Sequence, residues 1–377
     1  MTADPVAGHG AGAHEARRSP LHERHVQAAA KFGDFAGWTM PLEYGGGGVV
    51  AEHTAVRQRV GVFDVSHLGT ATVTGAGAAE YVNTQLSNDL RRIAPGKAQY
   101  TLCLTDEGGI VDDLIVYLHA DNRLLLVPNA ANTVTVVSRL AAGAPADVRV
   151  LNTHGDNAII AVQGPKSADT LAAMGLPVEH PYFSFADTTW GDTPLTVCRT
   201  GYTGEHGYEL VLPAAAAPDV WDMILEAGHP WGIRPCGLGA RDTLRTEMGY
   251  PLHGQDISPE ITPVQARLGW AVGWKKERFV GAEALRAERE EGAARLLMGI
   301  RHSGRRIPRP GMLVYSGAIQ VGVVTSGTFG PTAGVGIGLA LLDRPYSPAG
   351  TFVELDLRGR RETFEVVKPP FVETDVD

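Results

Sequence analysis

The sequence predicts an α+β fold that ends in a compact β barrel or jelly roll. Two patterns predict it. Up to about residue 275 short helical stretches interleave with alternating strands, and from residue 276 a charged helix gives way to short strands separated by Gly and Pro. At 377 residues the chain exceeds one typical core, so two or three domains are expected. No apolar run is long enough to cross a bilayer. The formal charge of −9, with no stripe of Lys and Arg, argues against a nonspecific nucleic-acid binder. Cys103, Cys198 and Cys236 show no CxxC spacing and read as buried thiols in a reducing cytoplasm.

Residues 1–18 lack the apolar core of a secretory signal and read as a disordered tail. After Ser19 and Pro20, HERHVQAAAKF is expected to be a short helix stopping near Gly33, and FAGWTMPLEY a tight loop. VVAEHTAVRQRV reads as a helix and GVFDVSHLGTATVTG as a strand with Phe63, Val65 and His67 on one side. No Cys or carboxylate lies at a metal-ligand spacing from His67, so it is read as a hydrogen-bonded structural histidine, and no metal site is expected. AAEYVNTQLSNDLRRI is a helix, and RLLLVPNAANTVTVVSRL a strand running into another. Asn129 and Asn132 at that junction suit a polar ligand and a helix cap equally well.

Between those helices AQYTLCL and EGGIVDDLIVY form a hairpin turning at 106–109. Two adjacent carboxylates interrupt its second strand. Side chains alternate in an extended chain, so Val111, Asp113, Ile115 and Tyr117 share one face while Asp112 and Leu114 share the other. An even turn centred between Glu107 and Gly108 sets Leu102 opposite Asp113 and Tyr100 opposite Ile115, which puts Tyr100, Asp113 and Tyr117 on one surface. A one-residue change in the turn exchanges the faces. Residue counting alone favours a plainer reading, with one aspartate solvated and the other capping a loop.

In TVCRTGYTGEHGYELVL, Gly201, Gly204 and Gly207 let the backbone come close to a flat ligand, with Tyr202 and Glu209 bordering the opening. A carboxylate at Glu209 suits the paired donors of an aminopyrimidine edge, or an ordinary surface position on a strand. In PCGLGARDTLRTEMGYPLHGQDI a helix carries Arg241 and Arg245 one turn apart, and a turned loop then displays Tyr250 and His253. Guanidinium forks suit carboxylate or carbonyl oxygens, and one of the two serves equally well as a surface ion-pair partner. GVGIGLA lacks the strand, turn and helix context of a dinucleotide fingerprint.

Several strings together resemble one family. FAGWTMPLEY, EHTAVRQRVGVFDVSHLG, EGGIVDDLIVY, VPNAAN, RTGYTGEHGYEL, GLGARDTLRTEMGYPLHGQD, TSGTFGPT and VKPPF run in family order across residues 19–371, and the chain resembles the aminomethyltransferase, or T-protein, of the glycine cleavage system. The resemblance implies a three-domain cloverleaf of antiparallel sheets with flanking helices around a central folate site. Residues 19–275 would form the folate-binding catalytic region as two intertwined α+β domains, and 276–377 the β-barrel domain. It implies transfer of an aminomethyl group from the lipoyl arm of H-protein to tetrahydrofolate, by a monomeric cytoplasmic enzyme without nucleic-acid or membrane partners. The family's essential aspartate falls on Asp113, and its folate contacts on Tyr100, Tyr117, Tyr202, Glu209, Arg241 and Tyr250. Arg241 would meet a pterin carbonyl or the glutamyl carboxylate, with Arg245 the other candidate for the tail.

Departures from the family pattern are Leu68, Phe183, Gln265 and Gly330, where Met, Tyr, Glu and Ser are usual. Leu68 preserves bulk, while Phe183 removes a hydroxyl from the expected aminobenzoyl contacts. Two rival readings are a folate-dependent demethylase on the same fold and a non-catalytic folate-binding protein of iron-sulfur assembly. The second carries a KGCYxGQE-like segment, where this chain has GYPLHGQD without a cysteine.

Overall fold

Alternating segments build three sheets and one closed barrel in the computed structural model, which describes residues 16–374 and Val376. Most of the expected tail, 1–15, lies outside the described residues. Its last two residues depart from that reading. Arg17–Arg18 pair in parallel with the strand Trp38–Glu43, and the Arg17 guanidinium sits 4.6 Å from the centroid of Trp38. That ring contact and the pairing anchor the segment.

The stretch expected to be a loop is also a strand pair. Lys31–Phe35 and Trp38–Glu43 are antiparallel, joined through Ala36 and Gly37 at φ 53° and 78°, so the preceding helix is confined to His22–Gln27. Pro41 hides this hairpin from a sequence reading because proline cannot donate to a ladder. It is tolerated because Arg17–Arg18 cover the strand only at Trp38 and Thr39, which leaves Pro41 on an open edge.

The five-stranded antiparallel sheet runs in the order Lys97–Leu104, Ile110–Ala120, Arg123–Val127, Ala71–Gly75, Val148–Asn152. Leu114 and Val116 pack against Tyr81 and Val82 of the helix Ala78–Gln85 and Val136 and Leu140 of the helix Thr133–Ala142. Burial of that apolar face fixes which side chains face the other way. Asp113 and Ile115 are among them.

In the six-stranded sheet the central strand Gly207–Pro213 lies between Thr193–Cys198 and Asn157–Gln163. Tyr208, Leu210 and Leu212 pack on the helix Ala217–Gly228, so alternation turns Glu209 and Val211 towards the opposite layer, where Val211 meets Leu244 of the helix Leu238–Met248. The C-terminal strands from Arg295–Arg301 to Arg361–Val367 close into a six-stranded barrel, which removes free sheet edges. GVGIGLA, residues 334–340, runs into its strand Gly336–Asp343. No helix among the described residues is long and apolar enough to cross a membrane.

Candidate active site

All three large bodies contribute walls to one cavity of about 580 Å³: Tyr100 and Asp113 from the five-stranded sheet, Glu209 from the six-stranded sheet, and Leu297 and Leu339 from the barrel. The hairpin carrying Asp113 sets Leu102 opposite Asp113 and Tyr100 opposite Ile115 as expected, but not by an even turn: five residues separate the paired Leu104 and Ile110, and a bulge at Val111, which packs with Leu114 instead of sharing the Asp113 face, restores the register. Its turn is clamped. Gly108 adopts φ +86°, a Cβ at Gly109 would lie 1.8 Å from the carbonyl oxygen of Pro259, and Ile110 N donates to the carbonyls of Ser258 and Ile261 at 3.1 Å.

Asp113 is held from two sides. Tyr100 Oη donates to its Oδ2 at 3.0 Å, and Asn129 Nδ2 donates to its Oδ1 at 2.8 Å. Asp112, on the reverse face, is fully buried and works as scaffold: it accepts from Asn132 Nδ2 at 2.7 Å, Asn129 Nδ2 at 2.9 Å and Asn129 N at 3.0 Å. The two asparagines therefore serve the carboxylates; Asn132 precedes its helix without a side-chain capping bond. Burial pushes the Asp112 carboxyl up to about 8, helped by the neighbouring Asp113 charge, and burial also raises Asp113. Tyr100 is pushed well above a phenol's usual range by burial and by Asp113, so it remains the donor in their hydrogen bond.

Around the strand of Glu209, Thr200 Oγ1 donates to Glu209 Oε2 at 2.6 Å, and Arg241 lies over Tyr202 with its guanidinium carbon 4.7 Å from the ring centroid. Tyr202 and Tyr250 have ring centroids 5.7 Å apart, and the Tyr202 hydroxyl donates to the carbonyl of Pro251. Glu209, Arg241, Tyr202 and Tyr250 all line the cavity with Tyr100 and Asp113. Tyr117 does not, which corrects the shared surface read from alternation. It is 1% exposed, its ring packs edge-on against Phe185, and its hydroxyl meets Thr200 Oγ1 at 3.1 Å. Tyr117 keeps the face that alternation gives it, but Phe185 and Val211 of the six-stranded sheet cover that face there, and it supports Thr200 beneath Glu209.

The glycines of the 201–207 loop also have another cause. A Cβ at Gly201 or Gly207 would reach atoms of Gln163 at 2.1 or 2.4 Å. Buried Gln163 threads between them, its amide donating to the carbonyls of Thr200 and Tyr208. Only Gly201 of the three borders the cavity.

Arg245 is consumed by structure. At 2% exposure it binds Asp256 at 2.7 Å, Asp242 at 2.6 Å and Ser326 Oγ of the barrel at 2.9 Å. Arg241 Nη1, by contrast, is buried with no hydrogen-bond partner among the described residues. The same holds for Nδ1 of His67, whose ring lines the cavity edge-on to Phe35. Burial and the Arg241 charge push His67 down to about 3, so its imidazole is neutral. The expected hydrogen-bonded structural histidine is thus an unsatisfied polar group in a cavity wall. The strand expected to run on from Phe63 through Val65 ends at Asp64, and His67 stands in the turn that follows, so the alternation read there does not account for its place in the wall. His253, also in the lining, bridges the carbonyl of Ile110 and the amide of Asn132. No group of three or more His, Cys, Asp or Glu among the described residues is arranged to hold a metal ion.

A mostly apolar cavity between three bodies, with a fixed carboxylate at one wall and an acid–base pair of opposite charge at another, defines a small-molecule enzyme site. Comparison with known proteins specifies the class. Residues 21–276 match the GCVT N-terminal domain, and residues 295–373 match the glycine cleavage T-protein C-terminal barrel domain. The chain is 61% identical over 357 residues to an aminomethyltransferase of Frankia alni, covering 94% of this chain and 98% of that protein. It is 56% identical to the aminomethyltransferase of Mycobacterium avium, with 94% and 96% covered. The crystal structure of glycine cleavage system aminomethyltransferase T from Bartonella henselae superposes with a TM-score of 0.89 at 35% identity, covering 95% of this chain and 98% of that one. The chain belongs to the glycine cleavage T-protein family. Within that family it is a transferase, an aminomethyltransferase of the glycine cleavage system.

Proposed function

We propose that this cavity moves the aminomethyl carbon from the lipoyl arm of H-protein to tetrahydrofolate, releasing ammonia, 5,10-methylenetetrahydrofolate and dihydrolipoyl H-protein. The observation that carries the reading is the Asp113 carboxylate, oriented by Tyr100 and Asn129 on the wall of an apolar cavity. The cavity fits a pterin: two buried polar atoms, Arg241 Nη1 and His67 Nδ1, lack partners there, and leaving such groups unsatisfied costs about 1–3 kcal/mol each. Glu209 would take the amino edge of the pterin and Arg241 a carbonyl or the glutamyl carboxylate, beside the rings of Tyr202 and Tyr250. Tyr100 lines the folate site and holds Asp113, and Tyr117 acts from behind through Thr200.

When bound, tetrahydrofolate supplies the nucleophilic nitrogens that take up the carbon. The chain's own contribution is electrostatic and positional. Departure of ammonia from a sulfur-bound aminomethyl group builds positive charge on carbon, and a preoriented carboxylate in low dielectric favours that charge most as it develops. The tyrosines keep water from the same carbon. Residues 19–275 act as the folate-binding region and 276–377 as the barrel domain, in a cytoplasmic monomer.

The test uses lipoylated H-protein loaded with the aminomethyl group. Ammonia and methylenetetrahydrofolate should appear in equal amounts and only with tetrahydrofolate present. Absence of turnover while tetrahydrofolate still binds by calorimetry would favour the demethylase alternative. Glu209→Gln should weaken tetrahydrofolate binding by about tenfold to a hundredfold, the worth of a hydrogen bond to a charged group. An unchanged Kd by calorimetry would remove Glu209 from the folate site.

A further inference from the structure

We infer that His253 is a positioning residue for the transfer, aiming the carboxylate of Asp113 through Asn132, Asp112 and Asn129; the inference rests on the reaction proposed above. The His253 ring reaches the cavity wall but offers a substrate no free nitrogen. Its Nε2 lies 3.1 Å from the carbonyl oxygen of Ile110, and a carbonyl only accepts, so the ring proton sits on Nε2. Its Nδ1 lies 2.9 Å from Asn132 Nδ2, an amide nitrogen that only donates, so Nδ1 is the acceptor. The hydrogen bonds thus select one tautomer.

From that ring the contacts run unbroken to the reacting carboxylate. Asn132 has two amide hydrogens, and Asp112 Oδ1 takes the other at 2.7 Å. His253 therefore fixes which way the amide points, because turning it over would set its oxygen against a lone pair and a carboxyl group together. Asp112 in turn holds Asn129 by its backbone and side-chain N–H groups, at 3.0 and 2.9 Å. The same Asn129 Nδ2 donates to Asp113 Oδ1 at 2.8 Å. Ile110 begins the strand of Asp113, so the ring also pins that strand at its start.

His253 itself comes from a different body. It stands in the loop after the helix Leu238–Met248, the helix that carries Arg241, and Tyr250, Pro251 and Leu252 of the same loop line the cavity. Asp256 ties this loop to the helix, its Oδ2 accepting from Leu252 N at 2.9 Å and from Arg245 Nη1 at 2.7 Å. His253 thus keys the body of the proposed folate contacts to the strand of the carboxylate. Its loss should cost transfer, which depends on how the two are set against each other, more than binding, which does not.

Single-turnover ammonia release from loaded lipoylated H-protein and calorimetry with tetrahydrofolate read the two quantities separately. His253→Leu should slow release about tenfold to a hundredfold, the cost of a misplacement of about 1 Å, and leave Kd within about threefold of wild type. His253→Asn, whose amide oxygen can stand where Nδ1 stood, should recover most of that loss. Asn132→Ser breaks the chain one link on and should slow release similarly, and the double variant His253→Leu/Asn132→Ser should be no slower than the slower single. Nitrogen-15 NMR reads the tautomer without turnover and should find the proton of the neutral His253 ring on Nε2. A proton on Nδ1 would overturn the inference even in a protein that transferred nothing, the result that would fail the proposed reaction itself. Normal release in His253→Leu would also overturn it, as would additive losses in the double variant. So would affinity falling in step with rate in every variant, which would leave His253 a support for the fold alone.

Discussion

Asp113→Asn is expected to bind tetrahydrofolate within about threefold of wild type and to transfer the aminomethyl carbon about 10²–10³-fold more slowly, the cost of removing one preoriented charge from a water-poor site. Asparagine keeps the shape and the acceptor for Tyr100, so the fold and the folate grip survive. What disappears is the negative charge facing the developing cation. Calorimetry and single-turnover ammonia release separate the two quantities, and near-normal turnover would sink the assigned role. The pH profile gives a second check. Burial raises Asp113 above the ordinary carboxylate value, so the ionised form is lost earlier as pH falls, and wild-type transfer should decline on the acid side at a pH above the usual range near 4. The acid limb should be absent from what activity remains in Asp113→Asn.

Arg245→Met is expected to lower stability by about 3–5 kcal/mol, because it strands a buried carboxylate at Asp256 and cuts a link between two bodies. The guanidinium joins the helix Leu238–Met248 to Asp256 and to Ser326 of the barrel. Urea unfolding measures the loss, and a change under about 1 kcal/mol, the range of an exposed pair, would contradict the network reading. The folded fraction of Arg245→Met should retain tetrahydrofolate affinity, whereas Arg241→Met should lose it. That contrast decides which arginine serves the ligand.

What the sequence made legible follows the range of the physics involved. The face of Asp113 could be read because a period of two and a local hairpin determine it within twenty residues, although the turn is odd and a bulge at Val111 makes up the difference. Tyr117 lies on the face alternation gives it, but the strands that cover it there, through Phe185 and Val211, come from a remote part of the chain. His67 was discounted for want of a metal partner nearby in sequence, yet its surroundings come from Phe35 and Arg241, remote segments that only the fold assembles. The hairpin through Trp38 was hidden by Pro41, whose exclusion from ladders holds only where a neighbour strand is present. The glycines after Arg199 were correctly seen as a place of close approach, but the group approaching two of them is the side chain of Gln163. Long-range partners are what local pattern leaves out.

The clamped turn at 105–109 bears on how this gene can vary. Surface turns are ordinarily where a lineage gains or loses a codon without penalty. Here one codon more or less, unless taken up by the bulge at Val111, would change the parity of the strand behind it, carrying the carboxylate of Asp113 into the helix-packed side and offering the cavity a different neighbour. The contact between Gly109 and Pro259 leaves no slack to absorb the change. Drift in this loop should therefore proceed by substitution at positions such as Asp106 and Glu107, with its length held constant by the chemistry one strand away.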